Sequence, residues 1–192
     1  MDLISKILGI AKKSEQKADT VSISPARSEK SDSDRYFALL GAIQDWQAKK
    51  QYDRMLRCCA ESLPLLPSLV RDWKREYGAF EISSIPAIEV GCRYWAALND
   101  ITALASVEST IAKVPELMEG WAEFVKASYE DAKLARRILD YIRTHHGALQ
   151  NQMGKLLNVS GKDTARIINT LTNLGKIVRV KSGKTYQLRV SV

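Results

Sequence analysis

The chain has 192 residues, of which 45% are hydrophobic, and it carries a formal net charge of +7. This length suits one large domain or two small ones, and the hydrophobic fraction is sufficient for a buried core. The sequence contains no apolar run near the roughly 20 residues that a transmembrane helix needs, and its start lacks the pattern of a secretory signal. Three cysteines without the spacing of a metal site predict reduced thiols in a cytoplasmic protein.

Positive charge is concentrated in the last third of the sequence. Residues 131–192 contain 12 Lys or Arg and 3 Asp residues, a net charge of +9, whereas residues 1–130 carry −2. This asymmetry predicts two parts with different roles, of which the basic part suits a polyanionic partner.

The N-terminal segment 1–33 is predicted to combine a short amphipathic helix with a flexible linker. Apolar residues of 1–13 share one helical face, whereas 14–34 is rich in Ser and charged residues and has no aromatic residue. Such a linker buries too little apolar surface to offset the entropy lost on ordering. Three roles stay open for the helix: a membrane-surface anchor, a docking segment or a packed terminal helix. A single short basic helix binds membranes only weakly, which disfavours the first role.

Residues 34–130 are predicted to be helical because apolar residues recur three and four positions apart. Turn-forming residues divide them into six predicted helices, at 34–48, 52–65, 68–78, 86–98, 100–113 and 116–129. A shift of 48 residues aligns large apolar positions, such as Trp46 with Tyr94 and Trp73 with Trp121. This match indicates two stacked three-helix units, although chance similarity stays an alternative because few aligned residues are identical.

The second unit resembles a tetratricopeptide-type helical hairpin. Four residues match the spacing of that motif: Gly91, Tyr94, Ala103 and Pro115. In that family the small residues allow close helix contact and the Pro ends the second helix. The first unit departs from the motif, with Ile43 and Met55 at positions for small residues, and the units are spaced more widely than the usual ~34 residues. The resemblance covers about half the chain and implies a domain for protein or peptide contacts or dimerisation; a plain supporting helical bundle is the alternative.

Residues 131–192 are predicted to form three helices followed by a β-hairpin. The helices are expected at 131–145, 149–157 and 160–174, and the strands at 177–181 and 184–190. Asn158 tolerates the positive φ of a tight turn between the second and third helices. Ser160, with Asp163 three residues later, suits the N-cap of the third helix.

This order of elements, with the run LLNVSGKDTARIINTLTNLGKIVRV, resembles a winged helix-turn-helix domain of the bacterial transcription-regulator type. The resemblance covers residues 131–192 and departs from the family at Gly154, where a small Ala is more usual. It implies that the third helix enters the major groove of double-stranded DNA and that the hairpin contacts its backbone or minor groove. The expected fold class is therefore mainly α, with a tetratricopeptide-like helical hairpin domain at 34–130 followed by a C-terminal winged helix domain with a small β-hairpin.

Seven polar residues are the predicted DNA contacts. The third helix is expected to expose Lys162, Arg166, Asn169 and Asn173, and the hairpin to present Arg179, Lys181 and Lys184. Lys and Arg contact phosphates or guanine edges, and Asn pairs with adenine. The sequence thus predicts a DNA-binding regulator of transcription or of replication and maintenance, whose helical domain mediates protein contacts or dimerisation.

A protein scaffold and an enzyme are the two alternatives to a DNA-binding regulator. Winged helices also mediate protein assembly, and scaffold subunits of proteasome-lid-like complexes place helical repeats before a C-terminal winged helix, the order expected here. An enzyme is disfavoured because the sequence has no Gly-rich phosphate loop, no useful Cys/His pairing and no paired carboxylates. No cofactor or metal site is predicted, since the adjacent His145 and His146 cannot both face one ion from one helix.

Overall fold

The computed structural model describes residues 31–79 and 84–191 of the chain. These residues form eight α-helices and an antiparallel hairpin: α1 (Asp32–Ala48), α2 (Tyr52–Ser62), α3 (Leu66–Tyr77), α4 (Pro86–Leu98), α5 (Ile101–Ala112), α6 (Pro115–Thr144), α7 (Met153–Leu157), α8 (Gly161–Asn173), β1 (Ile177–Ser182) and β2 (Thr185–Val190). Single 3₁₀ turns precede α3 and α7. None of the helices in this part of the chain is both long enough and apolar enough to cross a membrane. The helix predicted at 1–13 and most of the predicted linker lie outside the described residues.

Local capping chemistry determines several helix ends. Helix α1 begins at Asp32, inside the predicted linker, because the Ser31 hydroxyl accepts a hydrogen bond from the Asp34 N–H at 3.1 Å. Gly78 and Asn99 end α3 and α4 in left-handed conformations, with φ of 80° and 56°. The helix ends predicted at residues 78 and 98 agree with the observed ends to within one residue.

Helices α1 to α5 and the first half of α6 enclose one hydrophobic core. Its largest fully buried side chains include Ile43, Met55, Leu66, Ile88, Leu104 and Leu117. Tyr52 stacks on Tyr94 with ring centroids 5.0 Å apart and thereby joins α2 to α4. A β-carbon at Gly91 would lie 2.3 Å from a Trp95 ring carbon, so Gly91 lets that ring lie back along its own helix. The small residue at 91 therefore serves a contact within α4.

Helix α6 is continuous over 30 residues, Pro115–Thr144. The prediction of separate helices at 116–129 and 131–145 is therefore wrong. Neither Pro nor Gly lies between Gly120 and Gly147, so no helix-breaking residue interrupts the backbone hydrogen bonds. The predicted domain boundary between residues 130 and 131 falls inside this helix.

A second hydrophobic core lies in the C-terminal part of the chain. It contains the fully buried side chains Ile138, Met153, Ile167, Ile168, Leu171, Ile177 and Leu188. Along α6 the first core ends with Ala132 and the second begins with Leu134. Ala97 of α4 also belongs to the second core, and Leu174 packs against both cores. The two parts therefore share an interface, and their division into separate domains stays a prediction.

The C-terminal hairpin forms a small antiparallel sheet. Ile177 pairs with Val190 at its open end, and Gly183, with φ of 58°, supplies the turn. Leu149, which precedes α7, adds an isolated antiparallel bridge to Gln187 of β2. The coarse fold class expected from the sequence, mainly helical with a small C-terminal hairpin, is confirmed.

Candidate nucleic-acid interface

A tight turn joins α7 to α8 and determines where α8 begins. Asn158 takes a left-handed backbone conformation, with φ of 53° and ψ of 49°, as its position in the sequence predicts. The Val159 N–H donates to the Gly154 carbonyl at 2.9 Å. A β-carbon at Gly154 would lie 3.1 Å from the Val159 carbonyl oxygen and 3.2 Å from the Gly161 α-carbon. Gly154, where the predicted winged helix would more usually have Ala, therefore coincides with a close approach of the turn to α7.

Ser160 caps the N-terminus of α8, as predicted. Its hydroxyl accepts from the Asp163 N–H at 3.0 Å and donates to Asp163 Oδ2 at 2.6 Å. This hydroxyl and the Arg166 guanidinium hold the pKa of the Asp163 carboxyl below its usual value. Asp163 is therefore ionised at neutral pH and places a negative charge at the helix N-terminus, where the helix dipole favours it.

Ser160→Ala is expected to lower the free energy of unfolding by about 1 kcal/mol, because an N-terminal N–H of α8 loses its acceptor. Urea denaturation followed by circular dichroism measures this change. Ser109→Ala, at an exposed position within α5, is the matched control and should change the stability by less than about 0.5 kcal/mol. Equal effects of the two substitutions would contradict the capping role.

Helix α8 turns one polar stripe away from the second core. Lys162, Asn169 and Asn173 are exposed along this stripe, whereas Arg166 is half-buried. Thr170 is only 5% exposed, and its hydroxyl donates to the Arg166 carbonyl at 3.1 Å. Three of the four residues predicted to contact DNA from this helix are thus accessible on one face.

The fourth, Arg166, is held by carboxylates. Its Nη1 and Nη2 donate to the two oxygens of Asp131 on α6 at 2.5 and 2.7 Å. A longer bond of 3.4 Å joins Nη2 to Asp163. The Arg166 side chain is 40% exposed and that of Asp131 is 21% exposed. A DNA phosphate would therefore compete with Asp131 for this guanidinium.

The strand phase of the hairpin places Arg179 on the inner face of the sheet, whereas the sequence predicts that the hairpin presents Arg179 to DNA. Arg179 pairs with Leu188 across the sheet and shares the inward face with buried Ile177. Val178 and Val180 face outward and are 49% and 39% exposed. The expectation that Arg179 points outward is wrong, because burial of Ile177 in the second core selects the alternate set of residues for the inner face.

Arg179 connects the hairpin to α8. Its guanidinium donates to Asn169 Oδ1 and lies 6.0 Å from the centre of the Tyr186 ring. Its Nε is buried and lacks a hydrogen-bond partner among the described residues. The hairpin thus holds the side-chain oxygen of Asn169, one of the predicted base contacts.

Most cations of the C-terminal part have no carboxylate partner in the region that the structure describes. Of the 12 Lys and Arg residues in 131–192, four form ion pairs: Lys133, Arg136, Arg143 and Arg166. The other eight are Arg137, Lys155, Lys162, Lys176, Arg179, Lys181, Lys184 and Arg189. Lys181 and Lys184, both predicted contacts, are exposed near the hairpin turn. These eight cations thus have no carboxylate within ion-pair distance among the described residues, although the charge of Lys162 interacts with the neighbouring Asp163.

A groove of about 360 Å³ lies between α7, the start of α8 and the hairpin. Lys155 of α7 and Lys184 of the hairpin both line it, together with Tyr186. Lys155 is absent from the contacts predicted from sequence. The sequence does indicate that Lys155 is exposed. Met153 and Leu157 are buried, and a residue midway between two inward-facing residues four positions apart lies on the outer side of a helix.

Two buried thiols lie in the first core. Burial raises the pKa of both Cys59 and Cys92 to about 12, so both are protonated at neutral pH. Within 31–79 and 84–191, no group of three or more His, Cys, Asp and Glu side chains is arranged to hold a metal ion.

Comparison with known proteins assigns no family to the chain. No protein-family model, curated protein or solved structure matches it. The charge and geometry of the C-terminal part therefore carry the functional argument.

Proposed function

We propose that the chain is a cytoplasmic, non-catalytic DNA-binding protein of the winged-helix type, which regulates transcription or replication and maintenance. The observation that carries the proposal is the polar stripe of α8, where Lys162, Asn169 and Asn173 are exposed near cations that have no ion-pair partner among the described residues. An α-helix fits the major groove of double-stranded DNA. The order of the elements supports the winged-helix type, since three helices precede a hairpin to which Leu149 adds a bridge.

In this proposal lysines contact the phosphates and asparagine contacts a base. Lys162, Lys181 and Lys184 supply point charges for phosphates, and Lys155 extends this set across the groove. Asn173 lies on the stripe of α8 as a candidate base contact, because its amide can pair with adenine. The lysines thereby provide affinity and the helix provides any sequence preference.

The helical part is proposed to contact a protein partner or a second copy of the chain. Several large apolar side chains are exposed on it: Phe37, Tyr77, Ile101, Met118 and Phe124. Exposed apolar groups of this size are more consistent with protein contact than with DNA contact. This role also agrees with the tetratricopeptide-like spacing of α4 and α5.

Fluorescence anisotropy of the whole chain with a random DNA duplex, at low and at moderate salt, tests the proposal. Micromolar binding that weakens steeply with salt is expected, because phosphate neutralisation releases counterions. Absence of binding at low salt would refute DNA binding.

A second candidate function is a non-catalytic scaffold in which the winged helix mediates protein assembly. The outward-facing Val178 and Val180 of β1, and Leu156 of α7 at 50% exposure, favour it, since apolar side chains gain nothing from phosphates. Analytical ultracentrifugation and duplex anisotropy, each of the chain and of Val178→Ser/Val180→Ser, separate the two candidates. A scaffold that self-associates through this face should dissociate in the variant, whereas a DNA-binding face should retain its duplex affinity.

A further inference from the structure

Asp131 forms an ion pair with Arg166 and would compete with a DNA phosphate for this guanidinium beside the polar stripe of α8. The two residues are 35 positions apart, so the pair joins α6 to α8 and is not a local contact of α8. Both carboxylate oxygens of Asp131 accept from the guanidinium, at 2.5 and 2.7 Å. Arg166 follows Lys162 by one helical turn, and its side chain keeps 40% exposure. The guanidinium is thus near solvent but already bound.

We infer that Asp131 limits the affinity of the chain for DNA by holding Arg166 away from phosphates. The inference rests on the proposed role of α8. A guanidinium that is bidentate to a carboxylate must break two charge-assisted hydrogen bonds before it can bind a phosphate in the same way. The exchange gains little while Asp131 supplies this carboxylate. It becomes favourable when Asn replaces Asp131, because Asp163 then offers only one longer bond, at 3.4 Å. Asp131 is therefore a positioning residue that acts through Arg166.

Asp140 provides a matched control on the same helix. It pairs with Arg136 at 3.8 Å and Arg143 at 3.2 Å, which are both residues of α6. Its side chain is 54% exposed, and its partners do not belong to α8. Asp140→Asn removes the same charge as Asp131→Asn and leaves Arg166 paired, so the two variants separate release of Arg166 from a change in net charge.

Fluorescence anisotropy with a random duplex across a salt series is the experiment. Asp131→Asn should tighten binding by roughly threefold to tenfold at low salt, and steepen the log–log salt dependence by about 0.9, the contribution of one added phosphate contact. Asp140→Asn should give a smaller gain and leave the slope unchanged. Circular dichroism verifies that each variant is folded.

Arg166→Gln completes the double-mutant cycle. Alone it should weaken binding of the parent chain less than Lys162→Ala does, because Arg166 is paired with Asp131 whereas Lys162 has no ion-pair partner among the described residues. Combined with Asp131→Asn it should abolish the gain in affinity and in slope. Should Asp131→Asn fail to fold, the comparison of Arg166→Gln with Lys162→Ala carries the test: a smaller loss of slope for Arg166→Gln supports the inference, and an equal loss refutes it.

Several results would overturn the inference. Equal behaviour of Asp131→Asn and Asp140→Asn would show that only net charge matters. Weaker binding by Asp131→Asn would show that the carboxylate presents Arg166 to the DNA. In both cases the parent chain still binds, so the proposed function survives. Failure of the parent chain and of both Asn variants to bind the duplex would refute the proposed function and this inference together.

Discussion

Replacing both Lys162 and Lys184 with Ala should weaken binding of the whole chain to a random duplex by on the order of tenfold to a hundredfold at low salt. Neither lysine has a carboxylate within ion-pair distance among the described residues, and both are exposed, so their charges are available to phosphates. The slope of the logarithm of affinity against the logarithm of salt concentration should become shallower by about two, roughly one for each lost contact. Anisotropy titrations at four or more salt concentrations give both quantities.

The double variant Lys113→Ala/Lys126→Ala is the control for this prediction. It removes two exposed lysines from α6 and the segment before it, so net charge falls by the same amount. Binding should change by less than about threefold, since these residues lie outside the proposed interface. An equal loss in the two double variants would indicate that the duplex responds to net charge alone, and would contradict the face assigned to α8 and the hairpin.

Features determined by local chemistry could be predicted from the sequence. Asn158 and Ser160 specify the turn and the cap between α7 and α8 through their own backbone preference and side-chain oxygen. Gly78 and Asn99 likewise end their helices by adopting left-handed conformations. Each of these signals requires only a few neighbouring residues, which is why the helix order and the polar stripe of α8 could be anticipated.

Features that depend on packing between distant elements could not be predicted in this way. In β1 the alternation of Val178 and Val180 with Arg179 fits either phase, and only the contact of Ile177 with the second core selects one. The pairing of Arg166 with a carboxylate of α6 requires α6 and α8 to be neighbours, which no sequence period reveals. Packing therefore changes the surroundings of Arg166 and Arg179, two of the cations that the DNA-binding hypothesis uses.

Because α6 is continuous, a proline in its middle is expected to destabilise the whole chain. Glu130→Pro should lower the free energy of unfolding by about 3 kcal/mol or more, because Pro removes a backbone hydrogen bond and clashes with the preceding turn of a helix interior. Residue 130 is exposed on α6, so the loss does not arise from a cavity in either core. Urea denaturation monitored by circular dichroism measures it.

Glu130→Ala isolates the backbone effect. It removes only the exposed ion pair with Lys133, whose two side chains are each 69% exposed, and should cost less than about 0.5 kcal/mol. A small effect of both substitutions would indicate that the helix is interrupted near residue 130, as the sequence predicts. A large, single-transition loss for the Pro variant alone would mean that the two cores unfold together through α6. Binding of a partner to the helical part would then change the DNA affinity of α8. The coupling would pass through Asp131, which lies one residue from the substitution and holds Arg166.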